Sequence, residues 1–196
     1  MADMNEEYER ALGRFVSASA LVETSIRVQF LFQTGIGGAR VAALFDNTTP
    51  PISRTIGMLK RLAVLDKMPP EDFKGLTETF EQFGYISSLR DRLVHSGGFP
   101  VEGAKFFLNP VWKDSKPNRL AALVEGNVYA LHELSDATDD ISTIQHRIYY
   151  HFSWQERNDD EHWKHSKNVS HVPWRYKHRA PSPANQIPKG KKGRLR

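Results

Sequence analysis

The stretch Arg90-Asp91-Arg92-Leu93-Val94-His95-Ser96-Gly97-Gly98 holds the residue types in this chain that could do chemistry. An arginine five positions before a histidine provides a permanently charged, bidentate phosphate donor and a group that moves protons near neutral pH. That pair is a sufficient minimum for cutting RNA without a metal. The 2′-hydroxyl must lose a proton, the leaving 5′-oxygen must gain one, and charge building at phosphorus must be held. His95 would do the proton work and Arg90 would hold the phosphate. Asp91 would orient the imidazole one helical turn away or help to position substrate, and Arg92 and Ser96 complete the expected substrate-contacting set. A plainer reading fits the same residues: a solvated helix end where His95 meets the dipole and Asp91 pairs with Arg92 or His95.

Spacing alone does not separate these readings. Fifteen Arg and eight His in 196 residues supply about 0.6 such pairs by chance. A second one, Arg157…His162, lies in an all-polar segment where no packing would fix its geometry. The elements that must position the first pair therefore decide its standing.

Tyr8, Leu12, Phe15, Val22, Ile26 and Phe30 form one apolar stripe and predict a helix over about 5–33. Ala11, Ala18, Leu21, Val28 and Leu31 widen that stripe, so cover on more than one side is expected. A short helix over about 39–46 follows Gly35-Ile36-Gly37-Gly38. Thr48-Thr49-Pro50-Pro51 then opens a third, about 50–65, burying Ile52, Ile56, Leu59, Leu62 and Ala63. Pro69-Pro70-Glu71-Asp72 opens the fourth, about 70–95, packed through Phe73, Leu76, Phe80 and Phe83 and, past Gly84, through Ile86, Leu89 and Leu93. At 100° per residue His95 points about 200° from Leu93, and Asp91 lies about 40° from His95. The polar group is thus expected to face solvent or a partner.

Beyond Gly97-Gly98 the pattern turns to alternation. Ala104–Asn109 and Arg119–Glu125 read as strands, and Gly126-Asn127 as a hairpin turn into Val128–Leu131. Ser135-Asp136 starts a last helix to about 154, with Ile141, Ile144, Ile148 and Phe152 as its stripe. The fold expected is mainly α: an up-and-down bundle of four to five helices with a small antiparallel β-meander, about 104–132, inserted before the last helix. The helical domain would cover 1–156. Residues 157–196 carry a net charge of +8 against −4 for the first 156; they hold four prolines and read as a flexible basic tail.

In this setting the Arg90-Asp91-x3-His95 pattern, late in a helical domain, resembles the HEPN superfamily, whose signature is Arg, a polar residue, three further residues and His near the end of a late helix. The resemblance covers about 5–155 in helix order and about nine residues as motif; the strand-like insert and the basic tail depart from it. It implies a metal-independent endoribonuclease acting as a homodimer through the fourth helix, with both motifs facing one cleft. It also implies a defence or toxin–antitoxin role held in check by a regulatory protein partner. Other members of the superfamily keep the fold and only bind RNA or protein.

Glu23 could reach such a cleft, although pairing with Arg27 four residues on is the simpler expectation. His132 and His146 read as surface residues. His162, His165, His171 and His178 are too irregularly spaced for a metal site, and cysteine is absent, so neither metal nor cofactor is expected. Trp163, Trp174 and Tyr176 alternate with Lys164, Arg175 and Lys177, a pattern suited to stacking on single-stranded bases while cations meet phosphate. Trp174, Arg175 and Lys177 are therefore added to the expected RNA-binding set. The alternatives are a disordered solubilising tail or one strapped across the partner's surface by its tryptophans. No secretory signal and no run of ~18 apolar residues is legible, which gives a cytoplasmic protein away from membranes as the expectation.

Overall fold

Tyr8, Phe15, Val22, Ile26 and Phe30 run down one side of α1 (Ala2–Thr34), and all five side chains are buried, as their spacing requires. The computed structural model describes residues 2–44, 50–108, 128–157 and 161–177. After α1 come α2 (Gly38–Leu44), α3 (Ile52–Leu65), α4 (Pro70–Ser96), α5 (His132–Phe152) and α6 (Glu161–Ser170). Leu59 and Ala63 from α3, Leu76, Phe80, Phe83, Ile86, Leu89 and Leu93 from α4, and Ile141, Ile144 and Ile148 from α5 close the core. Pro70 stands in the first turn of α4 with Glu71 and Asp72 beside it, a start that the helix dipole favours. At α3, Pro51 occupies the position before the first helical residue and makes no side-chain cap.

Helices α4 and α5 are antiparallel, since Asp72 meets His151 and Gln82 meets Asp140. Helices α1 and α5 run the same way: Ser25 bonds Gln145, while Arg10 and Arg14 share a cleft with His132 and Ser135. Between α4 and α5 lies the expected antiparallel meander, in the order β1 (Gly98–Val101), β2 (Lys105–Leu108) and β3 (Val128–Ala130). Phe106, Leu108 and Tyr129 point inward and are buried, with Phe106 stacked on Tyr129 and tilted against Tyr8. The first strand begins six residues before the expected insert, because Gly98 and Pro100 read as chain release and not as pairing. The expected strand Arg119–Glu125 and the Gly126-Asn127 turn lie outside the described residues.

Two expectations are corrected. Packing does not stop at 156: α6 lies against α5, with Trp163 buried and stacked on Tyr149. The chain then returns to α4 and α5, where the backbone N–H groups of Arg175 and Tyr176 donate to the buried carboxylate of Asp140. The periodicity of a ten-residue polar helix with one anchoring tryptophan was too weak to see. The second correction concerns α1, where Ala11 and Ala18 pack against the core as expected but Leu21 and Val28 are exposed instead of covered. With apolar residues on both sides, Asn5–Thr34 is long and apolar enough to cross a membrane by length and composition only, a test that the core helix of a bundle also passes. Its inner side is the core of the bundle.

Candidate functional site at the end of the fourth helix

Helix α4 ends in two glycines with different duties. Gly97 adopts a φ of 72°, a left-handed conformation that favours glycine, and its N–H closes the helix on Leu93 O at 3.1 Å. Gly98 starts β1 so close to its neighbours that a Cβ there would lie 2.9 Å from the Tyr8 hydroxyl and 3.0 Å from Phe107 O. The last turn of α4, carrying His95, is thereby fixed against the sheet and α1.

His95 and Asp91 are exposed, as the helical phase predicts. Together with Arg92 they head an open cleft of about 560 Å³ between α3 and α4. Its floor is apolar, from Ile52, Ile56 and Phe83, and Ser53, Ser87 and Ser88 line its sides. At Gly84 an added Cβ would meet nothing within 4 Å, so the glycine leaves the cleft wide at that level. Arg92 is held from the sheet: its Nη1 donates to the Tyr129 hydroxyl at 2.7 Å. Ser96 lies in the same last turn, its side chain outside the described set.

Arg90 does not line this cleft. Its Nη1 donates to Glu23 Oε1 at 2.5 Å, and its Nε and Nη2 both donate to Asp91 Oδ1, at 3.0 and 2.7 Å. Burial opposes its charge, but the hydrogen bond to Asp91 and the fields of Glu23 and Asp91 outweigh that, so its pKa is raised further. The expectation that Glu23 pairs with Arg27 is overturned. Arg27 instead reaches Pro50 O at 2.6 Å and ties the start of α3 to α1, which leaves Glu23 to span α1 and α4. Asp91 is the link between the two sides, since it holds Arg90 and borders the cleft.

The three tail residues expected to meet RNA are engaged elsewhere. Trp174 packs on the core with the Arg147 guanidinium 3.8 Å from its ring centre, Arg175 pairs with Asp139, and Lys177 Nζ donates to Trp174 O. The contacts strap residues 161–177 to the chain's own α4 and α5, where the expectation was a flexible tail or one strapped across a partner. The carboxylates that anchor it were not legible in the sequence. Asp72, in the first turn of α4, faces both His151 Nδ1 at 3.0 Å and Arg157. Burial is the larger influence on His151 and lowers its pKa, although Asp72 pulls the other way. Among the described residues no group of three or more His, Cys, Asp or Glu could hold a metal ion. His162, His165 and His178 fall outside the described side chains, and His171 turns its Nδ1 to Lys167 O and Ser170. Comparison with family models, curated proteins and solved structures finds no match for this chain.

Proposed function

We propose that this protein is a metal-independent endoribonuclease of HEPN type that works as a homodimer through α4. The observation that carries the reading is an exposed His95 at the head of an open cleft, flanked by Asp91 and Arg92. In this reading His95 takes the 2′-hydroxyl proton, or returns one to the leaving 5′-oxygen, a role worth roughly 10²–10⁴-fold. A second His95 across the two-fold would supply the complementary step. Arg92 is the guanidinium that lines the cleft, positioned there by its bond to the Tyr129 hydroxyl. Arg90, with two carboxylates on it, serves first to position Asp91 and reaches phosphate once one of them lets go. A role in defence, checked by a protein partner in the cytoplasm, belongs to the same proposal.

The test is cleavage of single-stranded RNA in EDTA by wild type and His95→Ala. Loss in the variant by roughly 10² or more supports the mechanism; cleavage that needs a metal, or survives the substitution, sinks it. The neutralised Arg90 favours a second reading, a non-cleaving RNA- or protein-binding module on the same fold. Binding without cleavage would select it.

A further inference from the structure

The sheet that follows His95 turns Phe106, Leu108 and Tyr129 into the core and leaves a second face outward. Strand register places Phe99, Phe107 and Val128 in one row across that face, with Val101, Lys105 and Ala130 in the next. An antiparallel sheet facing water on one side ordinarily carries polar residues there. Here Phe99 is 49% exposed, its ring centre 5.3 Å from that of Phe107 and tilted by 42°. The aromatic residues of the tail are occupied in packing, and Phe99 is the first aromatic residue after the motif, with Phe107 beside it on the next strand. Phe99 lies four positions after His95, which bounds their Cα atoms to about 14 Å.

We propose that Phe99 and Phe107 form a base-stacking platform for single-stranded RNA beside the His95 cleft. The exposed Lys105 in the adjoining row meets the backbone phosphate. The proposal rests on RNA being the substrate. Every base offers a π-face, so such a platform binds with little sequence preference, and rings on a sheet face suit splayed single strands and not duplexes. Glu102 in the β1–β2 turn offsets Lys105, so stacking and not charge carries the affinity, and binding here depends weakly on salt.

The test uses the full chain carrying His95→Ala, to hold substrate uncut, and a short single-stranded RNA with 2-aminopurine as the probe. Binding should quench the fluorescence. Phe99→Ala should weaken it about 5- to 150-fold and Phe99→Trp should restore it, with unchanged melting showing that all variants fold. Affinity for Phe99→Ala within twofold of its parent overturns the platform, as does a Phe99→Trp that binds no better. Conversion of a dimer to a monomer by Phe99→Ala, with RNA affinity kept, also overturns it and marks the face as an interface. Cleavage that needs His95 but ignores Phe99 overturns the platform and leaves the nuclease standing. Phe99-dependent binding by a wild-type protein that never cleaves supports the platform and overturns the nuclease.

Discussion

Alanine at Gly75 and alanine at Gly84 should shift stability in opposite directions, although both glycines sit inside α4. In a helix interior the exchange alone is worth about 1 kcal/mol in favour of alanine. At Gly84 nothing lies within 4 Å of the added Cβ, so most of that gain should appear. At Gly75 the same Cβ would lie 2.4 Å from His151 Cε1 and 2.5 Å from Nε2. The imidazole has no cheap way out, because it is buried and its Nδ1 is held at 3.0 Å by Asp72, itself held by Arg157. Overpacking costs about 1–3 kcal/mol, and a broken buried hydrogen bond costs about as much again. Less the propensity gain, Gly75→Ala should destabilise by about 1–5 kcal/mol. Urea unfolding of both variants measures this directly, with the m-value checking that the transition stays two-state. In a His151→Ala background the penalty at position 75 should shrink or vanish. Gly75→Ala as stable as Gly84→Ala would refute the argument that the imidazole is locked.

His151 also gives stability a pH dependence of known sign. Burial holds its folded pKa below the ordinary 6.5, so as pH falls through that value the unfolded chain takes the proton first. Its contribution is therefore complete above about 6.5 and lost as pH drops toward the folded value, and His151→Ala should flatten the melting-temperature profile over that range. Asp140→Ala removes the acceptor shared by Gln82 Nε2 and the N–H groups of Arg175 and Tyr176. Leaving those donors buried should cost about 1–3 kcal/mol, and trypsin should then cut after Arg175 and Lys177 faster than in wild type.

The bundle was readable because its signals are dense and local. Seven apolar residues at helical spacing define the inner side of α4, and Pro-Pro-acid marks its start, so burial follows almost residue for residue. What could not be read depends on contacts between distant segments. Glu23 looks like a partner for Arg27 because the two are one turn apart; it becomes a partner for Arg90 because Arg27 is drawn to Pro50. The strap was invisible for the same reason. Trp163, Trp174 and Tyr176 lie in polar, basic sequence and acquire meaning through Tyr149, Arg147 and Asp140, all on α5. Of the site, the exposure of Asp91 and His95 was legible from helical phase. The cleft was not, since α3 forms its second wall.

Arg90 and His95 lie on different sides of one helix. Five positions at 100° each set Arg90 and His95 about 140° apart around α4. Phase alone thus forbids one protomer from turning both squarely to the same phosphate, and the contacts agree: Arg90 leans on α1 through Glu23 while His95 borders α3. A reading in which both act on one scissile bond therefore needs a two-fold that brings one protomer's Arg90 side toward its partner's His95 cleft. The same two-fold would set carboxylates from both copies near the substrate, so Arg90 must exchange one of its acid partners for phosphate as RNA enters. A homodimer through α4 and an anion-driven release of Arg90 are thus one requirement, and a monomer that cleaved RNA through His95 would have to use Arg92 in its place.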